Sequence, residues 1–77
     1  MSILTNRERQ EYAEEYRAAL RQCKDRELAH AHVFPTFRAQ LLMNAKLDPA
    51  RGAGWWTNEV RMAVLAEIAV IEWSVKR

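Results

Sequence analysis

Apolar residues recur at helical spacing along this chain, and Gly and Pro interrupt them at only two places, so the pattern predicts three helices. The first opens at Thr5-Asn6-Arg7-Glu8, a capping box in which the Thr5 hydroxyl accepts from the Glu8 N–H while the Glu8 carboxylate reaches back. Tyr12, Tyr16, Ala19, Leu20 and Cys23 then form one stripe, with Arg and Glu alternating over the opposite face. Glu27, His30 and Phe34 extend the stripe, giving a helix of about 29 residues that ends at Pro35. A break at Lys24-Asp25 is the alternative, with Asp25 as a new cap and Leu28 and Ala31 turned inward. The continuous helix is preferred because no strong breaker lies between Cys23 and His32.

The second helix is expected from Pro35 or Thr36 to about Leu47, burying Phe37, Leu41 and Ala45 and leaving Leu42 and Met43 in need of other cover. Asp48 to Gly54 forms the one real loop, followed by Trp55, Trp56 and a cap at Thr57 or Asn58. The third helix, Thr57 to Arg77, is apolar nearly all the way round. Arg61, Glu72 and Lys76 fall on one narrow polar strip, and Glu67 projects from nearly the opposite side.

A single domain over residues 1–77 buries only about 60% of the surface its unfolded chain exposes, so its core alone is marginal. The single Cys23 excludes an internal disulfide, which leaves a partner or a metal as the remaining support. The expected fold is therefore all-α: a small three-helix bundle of long helix, Pro-kinked short helix and apolar C-terminal helix, completed by dimerisation. Val64, Glu67, Ile68 and Ile71 are the expected oligomer interface.

Twelve basic and ten acidic residues leave a net charge of +2, with the two signs interleaved over Met1 to Glu27. That is far from the basic patch of a duplex-DNA binder. Glu67 and Glu72 interrupt the one apolar stretch long enough to suggest a membrane span. One thiol and Arg7 ahead of any apolar run point to a soluble chain in a reducing, cytoplasmic compartment.

Few constellations suggest chemistry. Glu27 and His30 have the spacing of half a carboxylate-bridged two-metal site, but the motif is needed twice, with two further carboxylates. Only a twofold dimer sharing Glu67 would supply them, so no metal and no cofactor is expected. Cys23, His30 and His32 are too dispersed on a helix for zinc or for a thiol–imidazole pair.

Arg51-Gly52-Ala53-Gly54-Trp55-Trp56 is the most unusual local composition. Glycines, Arg51, Lys46 and a following helix N-terminus suit an anion, and Trp rings stack bases. The simpler reading is a turn whose Trp pair closes the end of the bundle. Tyr12 and Tyr16, flanked by Arg9 and Arg17, are expected in the core. A carboxylate at Glu67 needs water or a cation, with Arg38, Arg51 and Arg61 as candidates. A helix-turn-helix is excluded by a linker of about nine residues where three or four are usual.

The functional expectation is a non-enzymatic protein–protein interaction module of the regulator or inhibitor type. It forms a homodimer and docks on a larger, unidentified protein, with Arg51, Trp55, Trp56, Leu42 and Met43 at the contact. The alternative is a small nucleic-acid or nucleotide-binding regulator that uses the Arg51, Trp55 and Trp56 loop.

Overall fold

A computed structural model describes residues 3–76, in which α1 spans Asn6–Cys23, α2 spans Arg26–Leu47 and α3 spans Asn58–Ser74. Among these residues there is no strand, and no helix is long and apolar enough to cross a membrane. α1 packs against both α2 and α3, and the core draws on all three helices.

The expected capping box starts α1. Glu8 N–H donates to Thr5 Oγ1 at 3.1 Å, and Thr5 N–H donates to Glu8 Oε1 at 2.9 Å. Tyr12, Tyr16, Ala19 and Leu20 are buried as the stripe requires, but Cys23 is exposed.

The helix then ends, contrary to the preferred continuous reading. Lys24 adopts the left-handed conformation at φ 58°, its N–H donates to Leu20 O at 2.8 Å, and Asp25 caps α2 by accepting from the N–H groups of Glu27 and Leu28. The reason is tertiary. A 29-residue rod would leave its apolar stripe bare, whereas a reversal at Lys24 lays α2 back along α1 and brings Phe37 edge-on to Tyr12, with ring centroids 4.8 Å apart. The phase of α2 also differs from the one expected of such a break. Ala29, Val33, Phe37, Leu41 and Ala45 face inward, while Leu28 and Ala31 face solvent.

Pro35 therefore lies inside α2 and starts no new helix, which corrects the predicted boundary. Its ring and Ala31, whose carbonyl loses its helical donor, are both on the exposed side, where water can satisfy that carbonyl. Past Leu47, Asp48 caps the helix and accepts from Ala50 N–H, and Gly52 turns the chain at φ 80°. Thr57 caps α3 through Val60 N–H, as predicted. The third helix stops at Ser74, short of the expected end at Arg77, which lies outside the described residues.

α3 buries Val64 and Ile68 completely, and Val75 just past its end is nearly so, all against its own chain. Its opposite face carries Met62, Val70 and Trp73 in solvent.

Lys24 pays for the chain reversal with a backbone conformation that costs a side-chain-bearing residue roughly 1 kcal/mol or more. Lys24→Gly is expected to stabilise the protein by about 1 kcal/mol, raising the melting temperature by roughly 4–8 °C in a domain of this size. Thermal unfolding followed by circular dichroism tests this, and an unchanged or lower melting temperature contradicts it.

Candidate functional site

Two acidic side chains organise the polar interior, one at each end of the molecule. At the first end the Glu8 carboxylate, buried on the first turn of α1, receives both Arg51 guanidinium nitrogens at 2.8 Å. Thr5 N–H and the Asn44 amide (3.3 Å) complete its shell. Arg51 also donates to Ile3 O at 3.2 Å, lies 3.6 Å from Asp48 and stacks over the Trp55 ring at 4.7 Å. Burial pushes the Glu8 carboxyl upward, but hydrogen bonds from Arg51, Thr5 and Asn44 outweigh it and hold the group at about 2. Its hydrogen bonds to Glu8 raise Arg51 further above its ordinary value.

At the other end Glu72 of α3 joins all three helices. Its Oε2 accepts from the Tyr12 hydroxyl of α1 at 2.5 Å and lies 2.6 Å from Nδ1 of His30 on α2. Burial and then the Glu72 carboxylate raise the Tyr12 hydroxyl far above the usual phenol range, so it stays a donor. Arg26, at the start of α2, donates to the carbonyls of Glu72 (2.5 Å) and Val75 (3.1 Å), capping the C-terminal turn of α3, and lies 5.8 Å from the Trp73 ring. Tyr16 hydroxyl donates to Arg26 O at 3.4 Å, and burial raises its pKa.

Beside this clasp is an open cleft of about 440 Å³, lined by Tyr16, Arg26, Glu27, His30, Glu72 and Trp73 together with Ala69. Its walls combine the Glu27 and Glu72 carboxylates and the Tyr16, His30 and Trp73 rings with the Arg26 guanidinium. Among the described residues no three His, Cys, Asp or Glu side chains come together as a metal-binding group, and no buried side-chain N or O atom lacks a partner. Glu27 is exposed.

The sequence-predicted site residues are dispersed by the fold. Arg51 turns inward onto Glu8, and Trp55 and Trp56 lie half-buried against the core with ring centroids 6.0 Å apart. Leu42 is half-buried and Met43 exposed. Of the proposed interface residues, Val64 and Ile68 are covered by the chain itself and Ile71 is half-buried against the core. Glu67 accepts from Ile3 N–H at 2.6 Å and approaches Arg9 at 3.8 Å, rather than Arg38, Arg51 or Arg61.

Glu8, Arg26, Glu72 and Trp73 were not anticipated as a set. Glu8 had a legible signal in the capping box, but a carboxylate that caps a helix is equally at home in water. Glu72 falls on the narrow polar strip of α3 in the sequence, and a helical wheel gives direction without saying which side another helix occupies.

No family model matches this chain, and neither a curated protein nor a solved structure matches it.

Removing the Arg51 cation leaves the Glu8 carboxylate buried among uncharged donors. Arg51→Met is therefore expected to cost about 3–5 kcal/mol, measured by urea unfolding. A loss below about 1 kcal/mol, the worth of an exposed pair, contradicts it. The carboxyl is depressed from 4.5 to about 2 on folding. Its contribution is thus complete above pH about 4.5 and fades as pH falls towards about 2, because the unfolded chain takes up the proton first. Glu8→Gln should flatten the acid limb of the stability curve in that window, and an unchanged limb assigns acid sensitivity elsewhere.

Proposed function

We propose that this chain is a non-enzymatic helical module that works by protein–protein contact, of the regulator or inhibitor type, docking on a larger protein and self-associating. The observation that carries this reading is the outward apolar surface. Leu28, Met43, Leu47, Met62, Val70 and Trp73 stand between 56 and 83% exposed. Where such side chains are grouped on one exposed helix face, they are the mark of contact surfaces.

They fall in separate places. Met43 and Leu47, one turn apart near the end of α2, flanked by the half-buried Leu42, offer a docking patch. Met62, Val70 and Trp73 occupy the outer side of α3. The polar clusters, by contrast, are closed on themselves: Glu8 and Arg51 satisfy each other, and Tyr12 and His30 meet at Glu72. These groups account for the architecture without invoking catalysis. The one cysteine, exposed and unpaired at the end of α1, suits a reducing compartment.

A nucleic-acid role for the Arg51, Trp55 and Trp56 loop receives less support. A phosphate would have to draw Arg51 from the Glu8 carboxylate, and both rings pack partly into the core.

The test is affinity capture from native lysate with tagged wild-type protein and with a Met43→Glu/Leu47→Glu variant, each with and without nuclease. One protein retained by the wild type after nuclease and at raised salt, and lost by the variant at unchanged melting temperature, is the expected outcome. Capture abolished by nuclease or by modest salt, the mark of phosphate contacts, overturns the reading in favour of nucleic acid.

A further inference from the structure

The outer side of α3 has an order that simple exposure does not require. Met62, Ala66, Ala69 and Trp73 follow one another at intervals of four, three and four residues, the seam spacing of paired helices, and all four are exposed. Glu59, three residues before Met62, continues the seam at the start of the helix. Lys76, three after Trp73, follows just beyond the Val75 cap.

The series is also symmetric about a point between Glu67 and Ile68. Ala66 mirrors Ala69, Met62 mirrors Trp73 and Glu59 mirrors Lys76. We propose that a second copy of this chain packs antiparallel along this seam, on a twofold axis passing between Glu67 and Ile68. The inference rests on the self-association proposed above and adds the face, the orientation and the register.

Antiparallel helices in this register place Ala66 of one copy beside Ala69 of the other, so the backbones approach closely at the centre, towards the short end of the usual 8–10 Å spacing. Each Trp73 ring then lies against the other copy's Met62, a sulfur–aromatic contact that fills the space to either side. Arg26 already lies 5.8 Å from one side of that ring. At the ends, Glu59 faces the segment that leaves the other copy's helix beyond Ser74, within reach of the exposed Lys76 side chain, and the two helix dipoles oppose each other favourably.

A parallel pair fails on each count. It sets Glu59 against Glu59, Lys76 against Lys76 and two indoles in one layer beside a layer of alanines. A larger or less regular partner needs no such symmetry, and this charge pattern gives it no reason to be there. The inner side of α3, with Val64 and Ile68, stays packed in its own chain, so the dimer forms without unpacking the fold.

Sedimentation equilibrium and site-directed cross-linking test the seam. Wild-type protein should sediment as a dimer, and Ala66→Asp should weaken association roughly 100-fold, by bringing two unpaired carboxylates into the contact, with helix content unchanged. Glu59→Lys should weaken it about threefold to tenfold, and adding Lys76→Glu should restore it, since the pairs re-form with reversed sign.

In a Cys23→Ser background, a mixture of Glu59→Cys and Lys76→Cys chains should be joined by a short bis-maleimide, while each alone should not. Cross-linking of Glu59→Cys chains alone means a parallel pair and overturns the proposal. A dimer that survives Ala66→Asp overturns the face, and a monomer at all concentrations overturns self-association. A monomer that still captures a partner through Met43 and Leu47 leaves the docking reading intact and removes only this one.

Discussion

The Glu8 carboxylate is out of water, and its donors come from three separate parts of the chain. Thr5 belongs to the entry of α1, Asn44 to the last turns of α2, and Arg51 to the loop that launches α3. A buried carboxylate tolerates the loss of such donors poorly, because the charge left behind has nothing to replace water. The beginning of the first helix and the loop after the second are therefore held in one relationship, which fixes where α3 starts. Arg51 carries the constraint onward to Ile3 and to the face of Trp55.

Glu72 performs the matching role at the other end. Tyr12 and His30 present it with polar hydrogens from α1 and α2, and Arg26 takes up the carbonyls that the end of α3 would otherwise leave open. Between the two acidic nodes the apolar contact of α3 is centred on Val64 and Ile68, with Val60 and Ile71 packed beside them. A helix held by polar clasps at both ends and an apolar strip on one side leaves Met62, Ala66, Ala69, Val70 and Trp73 uncovered on the other. The fold itself does not use that surface.

A small chain meets a conflict here. Apolar residues sufficient to drive folding also drive association, and at this length there is too little polar surface to hide them. Met43 and Leu47 lie on α2 and Met62, Val70 and Trp73 on α3, so the two proposed contacts need not compete.

Features set by near neighbours in sequence were legible from it. The Thr5–Glu8 capping box, the Thr57 cap, the buried phase of Phe37, Leu41 and Ala45, and the Tyr12, Tyr16, Leu20 stripe all emerge as read. Each depends on groups within a turn or two, where helix geometry alone decides who meets whom. The reversal at Lys24, the passage of α2 through Pro35 and the destinations of Arg51, Glu67 and Glu72 were decided only in three dimensions. Lys24 is a poor residue for a left-handed turn, and Pro35 is a poor residue for a helix interior. Both are accepted because the burial gained by laying Phe37 on Tyr12 outweighs a local cost. A carboxylate on a helix reads the same whether water or an arginine lies opposite, and only the tertiary fold brings one or the other within reach.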